Sequence, residues 1–494
     1  MEVISNTCAV CCLTAKQKCS GCETTYYCNR QHQKEHWKTH VQLCRAFKIA
    51  TDPVLGRYYV ASRNIKVGEI VMKDMVPLVA GPMSATPAIC LSCYIVLQAS
   101  TAKPCQDCGW PLCLTCKLHG SECQFTRSRR NTKISITTFG LPHPSYNCIN
   151  VIRALCLKES KPEAYHKLLS LETHFDLVKT MGDCKFGAPI LILDLMKRLF
   201  EMDDIADEEI MKIIVLCILQ VNGHEVPVTE PPHMAVYDLA SILEHNCRAN
   251  CAKSFTDNGG LIIHAAMPIV KGEHISISYT DSLWGATNRR HHLLRTKFFE
   301  CTCRRCEDPS ELGTMYNAIK CMDASCMGYM LPKTFLVDEI DTYVCNRCSC
   351  NLLSKQVDDM LEAIGQDLTG MQKNNATACR EFLQRYERIL HEHHFYITDV
   401  NIALAQLIGE GTGLHILRKF VTLCALLAIV VVDESTNCAL LAPVSGGRRP
   451  CETAPCRTVY LDKIRNCALP QSYYCALLQI IVVADHRSHH YTSV

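Results

Sequence analysis

The sequence predicts an α+β protein carrying several zinc-binding modules. Thirty-five of its 494 residues are cysteines, and fourteen of them form seven Cys-x-x-Cys pairs. Strand signals fall in two stretches, from residue 56 to 79 and again after about residue 222, with a mostly helical stretch between them. Beyond Lys355 the apolar residues return to a helical period.

The N-terminus sets the cysteine pattern. Cys8-x2-Cys11, Cys19-x2-Cys22 and Cys28-x3-His32 are followed by His40-x3-Cys44. A Cys-x2-Cys knuckle puts two thiolates on one side of a tetrahedron, so two such pairs complete one structural zinc site. His36 lies one turn beyond His32 and competes for the ligand position, but the spacing from Cys28 favours His32. The opening MEVISNTCAV has neither a basic n-region nor an apolar h-region, so the expected setting is intracellular. There, paired cysteines are metal ligands rather than disulfides.

From Gly56 to Val79 the chain reads as short strands, with Tyr58 to Ala61 and Glu69 to Met72 flanking a turn at Lys66-Val67-Gly68. The eight-ligand pattern then recurs: Cys90-x2-Cys93, Cys105-x2-Cys108 and Cys113-x2-Cys116, closed by His119-x3-Cys123. Four pairs in this order can be shared between two metals in an interleaved way, first with third and second with fourth. Ile210, Ile213, Ile214, Cys217 and Ile218 follow at helical spacing, with Asp207 near the helix start. Strands return at Leu261 to Ala266 and His274 to Tyr279. In the second, Ile275, Ile277 and Tyr279 alternate with polar residues, which places Tyr279 on the apolar face.

Cys301-x-Cys303-x2-Cys306 supplies three ligands and needs a fourth from elsewhere, whereas Cys321-x4-Cys326 with Cys345-x2-Cys348 can make a site by itself. The scattered cysteines, such as Cys156, Cys184 and Cys217, read as buried small hydrophobes. Phe382, Tyr386, Ile389 and His393 share one helical face and Val400 to Ile408 supports a second helix, so a helical hairpin is expected. Its loop holds His391, His393 and His394, which read as solvated.

Charge excludes some functions. Fifty-one basic residues against 49 acidic ones leave a net charge of +2, so no general basic field for a nucleic-acid backbone exists and direct nucleic-acid binding is not expected. No stretch reaches the roughly 18 apolar residues of a membrane span; Phe420 to Val432 comes nearest.

Together these residues resemble the SET-and-MYND (SMYD) family of protein-lysine methyltransferases, particularly its arthropod-type members. The stretch from Tyr27 to His40, YCNRQHQKEHWKTH, is similar to a MYND zinc finger, with His32 in place of the usual cysteine. The stretch from Leu55 to Glu69, LGRYYVASRNIKVGE, resembles the opening strands of a SET domain. EHNCRAN from Glu244 to Asn250 is similar to the Asn-His-Ser-Cys-x-Pro-Asn motif, and ISYTD from Ile277 to Asp281 to the closing Tyr-x-Asp. FECTCRRC from Phe299 to Cys306 resembles the post-SET segment. The resemblance covers roughly residues 8 to 420.

It implies a MYND finger at 8–44 and a SET domain at 55–280, split by a MYND-like zinc module at 90–123 and a helical insert at about 145–220. A post-SET segment at 297–308, a zinc-ribbon-like segment at 321–348 and a helical C-terminal region at 355–420 follow. The tail, 421–494, carries no motif; it reads as a lineage-specific tail or a gene-model error and is expected to pack poorly. The resemblance also supplies the missing fourth ligand: Cys247 with Cys301, Cys303 and Cys306. With about six zinc ions at four ligands each, the implied cofactor is S-adenosyl-L-methionine. Gly56, Arg57, Asn222, Glu244, His245 and Phe299 would line its pocket, and Tyr279 would be catalytic at its edge. Two departures stand out: Tyr58 where the family carries glycine, and Glu244 where it carries asparagine. The implied function is protein-lysine methylation in transcriptional or signalling regulation, in cytoplasm, nucleus or both, on a histone or other protein substrate. The alternative is an inactive adaptor whose MYND modules recruit proline-rich partners to a repressor complex.

Overall fold

The structure, a computed structural model, describes residues 7–19, 25–41, 44, 46–53, 55–84, 86–176, 183–218, 221–337 and 340–408. The tail 421–494, residues 409–420 and the candidate ligand Cys22 lie outside the described residues, as do the side chains of Cys184, Cys217 and Ile218. Two compact units form. The first holds residues up to 245 with 250–277 and 295–298; the second holds 246–249, 278–294 and the chain from 299 onward.

In the first unit the finger consists of β1 (Gln17–Lys18), β2 (Tyr26–Tyr27) and α1 (Arg30–His40). Asn29 caps α1 by accepting the His32 backbone N–H at 2.9 Å, which fixes where the helix begins and so where His32 stands. Strands β3 (Phe47–Asp52), β4 (Gly56–Ala61), β5 (Ile70–Asp74) and β6 (Val79–Pro82) follow. The inserted zinc module contributes the hairpin β7 (Ala102–Pro104) and β8 (Pro111–Cys113) and helix α2 (Glu122–Arg129).

Helices α3 (Asn147–Ser160), α4 (Pro162–Leu169), α5 (Asp183–Phe200) and α6 (Asp207–Ile218) form the insert. The run Asp207, Glu208 and Glu209 occupies the first turn of α6, where carboxylates complement the helix dipole. Ile149, Ile152, Met196, Ile210, Ile213 and Ile214 are buried in one core shared with Trp110 and Leu112 of the zinc module. Inserted module and insert therefore fold around common apolar residues.

The chain then returns through β9 (Gly223–Val226), β10 (His233–Val236), β11 (Glu244–His245), β12 (Cys251–Phe255), β13 (Leu261–Ala265) and β14 (His274–Ile277). Three small sheets result, ordered β6-β10-β9, β11-β14-β4-β3 and β12-β13-β5. In each, a strand from before the insertions pairs with strands from after them, so the β-fold is split in sequence and closed in space. Only the β11–β14 pair among them is parallel. Asp74 accepts the Leu239 and Ala240 N–H groups at 2.6 and 3.1 Å, and Tyr59 donates to the Leu239 carbonyl at 3.0 Å. These bonds pin the turn that leads the chain into Glu244.

The expected strand from His274 to Tyr279 is shorter than its alternation suggested. It ends at Ile277, because Ser278 Oγ donates to the Thr280 carbonyl at 2.8 Å and replaces the ladder with a local turn. Tyr279 stands on that turn and not on the strand's apolar face.

Helix α7 spans Ala286–Lys297. Within the second unit, α8 (Arg304–Glu307) is followed by the four-stranded antiparallel sheet β15 (Ile319–Lys320), β16 (Tyr329–Pro332), β17 (Thr342–Cys345) and β18 (Asn351–Leu353). Helices α9 (Ser354–Gly370), α10 (Ala376–Tyr386) and α11 (Phe395–Ile408) complete it. Helix α10 stops at Tyr386, so Ile389 and His393 do not share its face with Phe382. The histidines are not a solvated loop either. His391 is 6% and His394 0% exposed, His391 lies edge-on to Tyr329 and His394 stacks on Phe395. Imidazole bodies fill the corner between the ribbon sheet and α11, and burial pushes their pKa values down to about 4 and about 3.

Candidate metal centres and site residues

The cysteine pairs converge in the interleaved order. Ligand atoms of Cys8, Cys11, Cys28 and His32 lie within 4.8 Å of one another, as do those of Cys90, Cys93, Cys113 and Cys116 and those of Cys105, Cys108, His119 and Cys123. The same holds for Cys247, Cys301, Cys303 and Cys306 and for Cys321, Cys326, Cys345 and Cys348. A tetrahedron with zinc–sulfur bonds of about 2.3 Å has sulfur–sulfur edges of about 3.8 Å. Set against that, Cys247–Cys301 is 3.8 Å, Cys247–Cys306 3.5 Å, Cys326–Cys345 3.7 Å, Cys105–Cys123 3.8 Å and Cys93–Cys113 3.9 Å. The donor sets fit zinc. Thiols this close also resist ionising together without a cation: the hydrogen bond with Cys247 pushes the Cys301 thiol strongly upward.

For the finger's other pair, Cys19 and Cys44 sulfurs stand 3.7 Å apart and His40 is buried, with Thr25 Oγ1 3.5 Å from its Nδ1. The competition between His32 and His36 has a structural counterpart. His32 Nδ1 is 3.4 Å from Cys8 Sγ, whereas His36 Nδ1 is 3.0 Å from the Tyr27 hydroxyl.

Sequence reasoning missed what surrounds these ligands. His119 has its Nε2 3.2 Å from Cys108 Sγ and its Nδ1 2.9 Å from Glu122 Oε1. Glu122 is fully buried and takes two hydrogen bonds from Arg153, each at 2.7 Å. Arg153 also donates to the Ala80 and Leu91 carbonyls and to the Tyr94 hydroxyl. Burial alone would raise the Glu122 pKa, but Arg153 and His119 outweigh it and hold it at about 2. A carboxylate behind a ligand histidine fixes its tautomer and plane. The signal available was Glu122 three residues after His119.

The Cys247 cluster has a comparable support inside the second unit. Glu311, 1% exposed, accepts from Arg305 Nε at 2.5 Å and from Arg289 Nη1 at 3.2 Å, with Asn317 as a third donor. Arg305 donates to the Cys247 carbonyl at 3.2 Å and Arg289 Nη2 reaches Cys306 Sγ at 3.9 Å. Four thiolates on one zinc leave a net charge of about −2, and nearby guanidinium groups offset it. Tyr279 and Phe299 pack against Cys247, Cys301 and Cys306, with their rings edge-to-face at 6.5 Å.

The remaining expected site residues lie in the first unit. Gly56 adopts φ 69° with open space where a side chain would stand, a backbone that glycine favours. Arg57 donates to the Ser170 carbonyl at 2.5 Å. Asn222 donates through Nδ2 to the Glu172 carbonyl at 2.6 Å, and its own carbonyl accepts from Ser241. Glu244 and His245 form β11, in register with Ser276 and Ile277. Burial raises the Glu244 pKa above the ordinary carboxylate range, with His274 opposing that rise. Asn250 spans the same edge, accepting the Ser276 N–H at 2.9 Å and donating to the His274 carbonyl at 2.7 Å.

Comparison with known proteins now decides the family. Residues 8–44 match the MYND finger family and residues 56–280 the SET domain family. The chain belongs to the SET and MYND domain proteins. It is similar to the Drosophila melanogaster "SET domain-containing protein SmydA-8, isoform B", with 29% identity over 300 residues, 58% of this chain and 63% of that one. It is also similar to the Arabidopsis thaliana "Histone-lysine N-methyltransferase ASHR1", 21% identical over 322 residues, 62% of this chain and 64% of the relative. These matches span less than two thirds of the relatives' own length. The solved SET domain of LSMT bound to lysine and AdoHcy matches 54% of this chain and 57% of its own at 14% identity and a TM-score of 0.27, too slight a likeness to argue from. The SET domain thus sits on the split β-fold, with its zinc module inserted between β6 and α3. No helix among the described residues is long and apolar enough to cross a membrane.

Proposed function

We propose that this SET and MYND domain protein is an S-adenosylmethionine-dependent protein-lysine N-methyltransferase. The observation that carries the reading is the packing of Tyr279 and Phe299 onto the Cys247–Cys301–Cys306 thiolate cluster. A bound zinc there would hold both aromatic residues on a braced surface, and precise placement of reacting groups can lower a barrier by several kcal/mol.

Bound S-adenosylmethionine would supply an activated methyl group. The chain's own residues would do the positioning. Gly56 and Arg57 would offer backbone groups at the exposed start of β4, and Asn222 and His245 would complete the polar lining. Glu244 keeps one carboxylate oxygen beyond its bond to His274, so it can accept from an ammonium group. Phe299 would present an aromatic surface for an adenine ring. Tyr279 would orient the neutral lysine amine through its hydroxyl, acting as a hydrogen-bond partner rather than a nucleophile. The MYND finger would recruit proline-rich protein partners, and the setting would be cytoplasm, nucleus or both.

Transfer of a labelled methyl group to lysine-bearing proteins by the zinc-loaded full chain tests this. Tyr279→Phe is expected to lower turnover roughly a hundredfold, a scale typical of losing one positioned catalytic group. Unchanged turnover would remove Tyr279 from the reaction.

A second reading, the silent adaptor, is motivated by Tyr58 and Glu244, which stand where the family pattern carries glycine and asparagine. Under it, the full chain retains proline-rich peptides in pull-down and transfers no methyl group.

A further inference from the structure

The two residues that depart from the family pattern meet at a third. His274 Nδ1–H donates to Glu244 Oε1 at 2.7 Å, and the Tyr58 ring stacks on the His274 imidazole with centroids 4.4 Å apart and planes 21° apart. Strand register makes this contact obligatory. His274 on β14 faces Val60 on β4, and Tyr58 lies two residues from Val60. Glu244 on β11 faces Ser276, two residues from His274. Side chains two residues apart on a strand share a face, so Tyr58, His274 and Glu244 emerge side by side on one face of one sheet.

The chemistry of the three is complementary. A carboxylate in place of an amide adds negative charge and loses a donor. Left alone on a half-buried sheet, it would turn to whatever donor was nearest and would have no fixed direction. The imidazole N–H supplies that donor on one side and leaves the second oxygen to accept from elsewhere. The stacked phenol fixes the plane of the imidazole, which in turn fixes the direction of the N–H. A glycine at position 58 could not do this. Tyr58 and Glu244 are therefore joined through His274 in one contact group.

We infer that His274, held by Tyr58, is a positioning residue that aims Glu244 at the ammonium group of the cofactor's amino-acid tail. The inference rests on the proposed use of Glu244 in binding S-adenosylmethionine. It assigns to this sheet face a recognition of the α-amino group by a carboxylate, in place of an amide.

Calorimetric titration of the zinc-loaded full chain with S-adenosylmethionine and, separately, with 5′-methylthioadenosine tests it, because the second nucleoside lacks the amino-acid tail. His274→Ala should weaken S-adenosylmethionine binding roughly tenfold, the scale of one charge-assisted hydrogen bond, and leave 5′-methylthioadenosine binding unchanged. His274→Gln, which keeps an N–H donor, should recover most of the loss. Glu244→Gln should show the same selective loss, which keeps the inference testable if His274→Ala fails to fold. An equal loss for both nucleosides, no loss for either, or no recovery by His274→Gln would overturn it. A wild-type chain that binds neither nucleoside would instead overturn the cofactor reading underneath.

Discussion

The inserted zinc module and the Cys247 cluster differ from the N-terminal finger and the zinc ribbon in what stands behind the ligands. Behind His119 is a buried Glu122 held by Arg153, and behind Cys247 and Cys306 is a buried Glu311 shared by Arg289 and Arg305. The finger and the ribbon rely on local backbone instead. Asn29 caps the helix that carries His32, the Gly328 N–H reaches Cys326 Sγ at 3.3 Å and the Arg347 N–H reaches Cys345 Sγ at 3.4 Å. Cys348 of the ribbon is exposed, whereas Cys247, Cys301 and Cys306 are buried. Buried charges are costly unless paired, so an ion pair behind a metal site is retained where it fixes geometry. The difference separates centres braced by a buried ion pair from centres held by local backbone bonds.

The comparison breaks most visibly at Glu311. Glu311→Ala leaves two buried guanidinium groups without their carboxylate and should cost about 3–5 kcal/mol. Denaturant unfolding measures this directly. A loss below about 1 kcal/mol would show that the Cys247 cluster needs no such brace.

Acid should act on the ribbon's side through a different group. His391 and His394 are buried and neutral, with pKa values near 4 and 3, whereas the unfolded chain takes up protons near the ordinary histidine value of about 6.5. The unfolded state therefore binds more protons throughout that window, and stability falls as pH drops from about 6.5 toward 3. The expected loss at pH 4 is on the order of 3 kcal/mol from each histidine. In His394→Gln the slope should shrink by about half, and a slope equal to wild type would remove this histidine from the account.

A smaller and more local effect is expected at Glu122. Glu122→Gln removes the charge behind His119 and should lower zinc affinity of the inserted module about 10–100-fold, read by chelator competition. The finger, where no carboxylate among the described residues stands behind His32, should keep its affinity in the same variant. Equal weakening of both would erase the distinction drawn between them.

Much of this architecture was legible from spacing. Ligand pairs repeat at fixed intervals because a tetrahedral metal demands it, so Cys90 to Cys123 and Cys321 to Cys348 could be read without coordinates. Strand alternation located β13 and β14, but it overran at Tyr279, because Ser278 ends the ladder with a side-chain bond that alternation cannot register. The histidines at 391 to 394 misled for a similar reason: a polar run reads as solvated unless the aromatic neighbours that bury it, Tyr329 among them, are known. Arg153 and Glu311 were invisible because a buried charge and a surface one are the same letter. Key partners lie well along the chain, Arg153 being 31 residues from Glu122 and Arg289 22 from Glu311. The link from Tyr58 to Glu244 through His274 was hidden likewise, since it depends on which strands pair.

Cofactor binding by the zinc-loaded full chain is the measurement closest to the central claim. Isothermal titration with S-adenosylmethionine should give saturable binding, and Tyr279→Phe should bind within a factor of about three of wild type, because one neutral hydroxyl contributes little to ground-state affinity. No detectable heat at millimolar cofactor would contradict the account and leave the adaptor as the reading that fits.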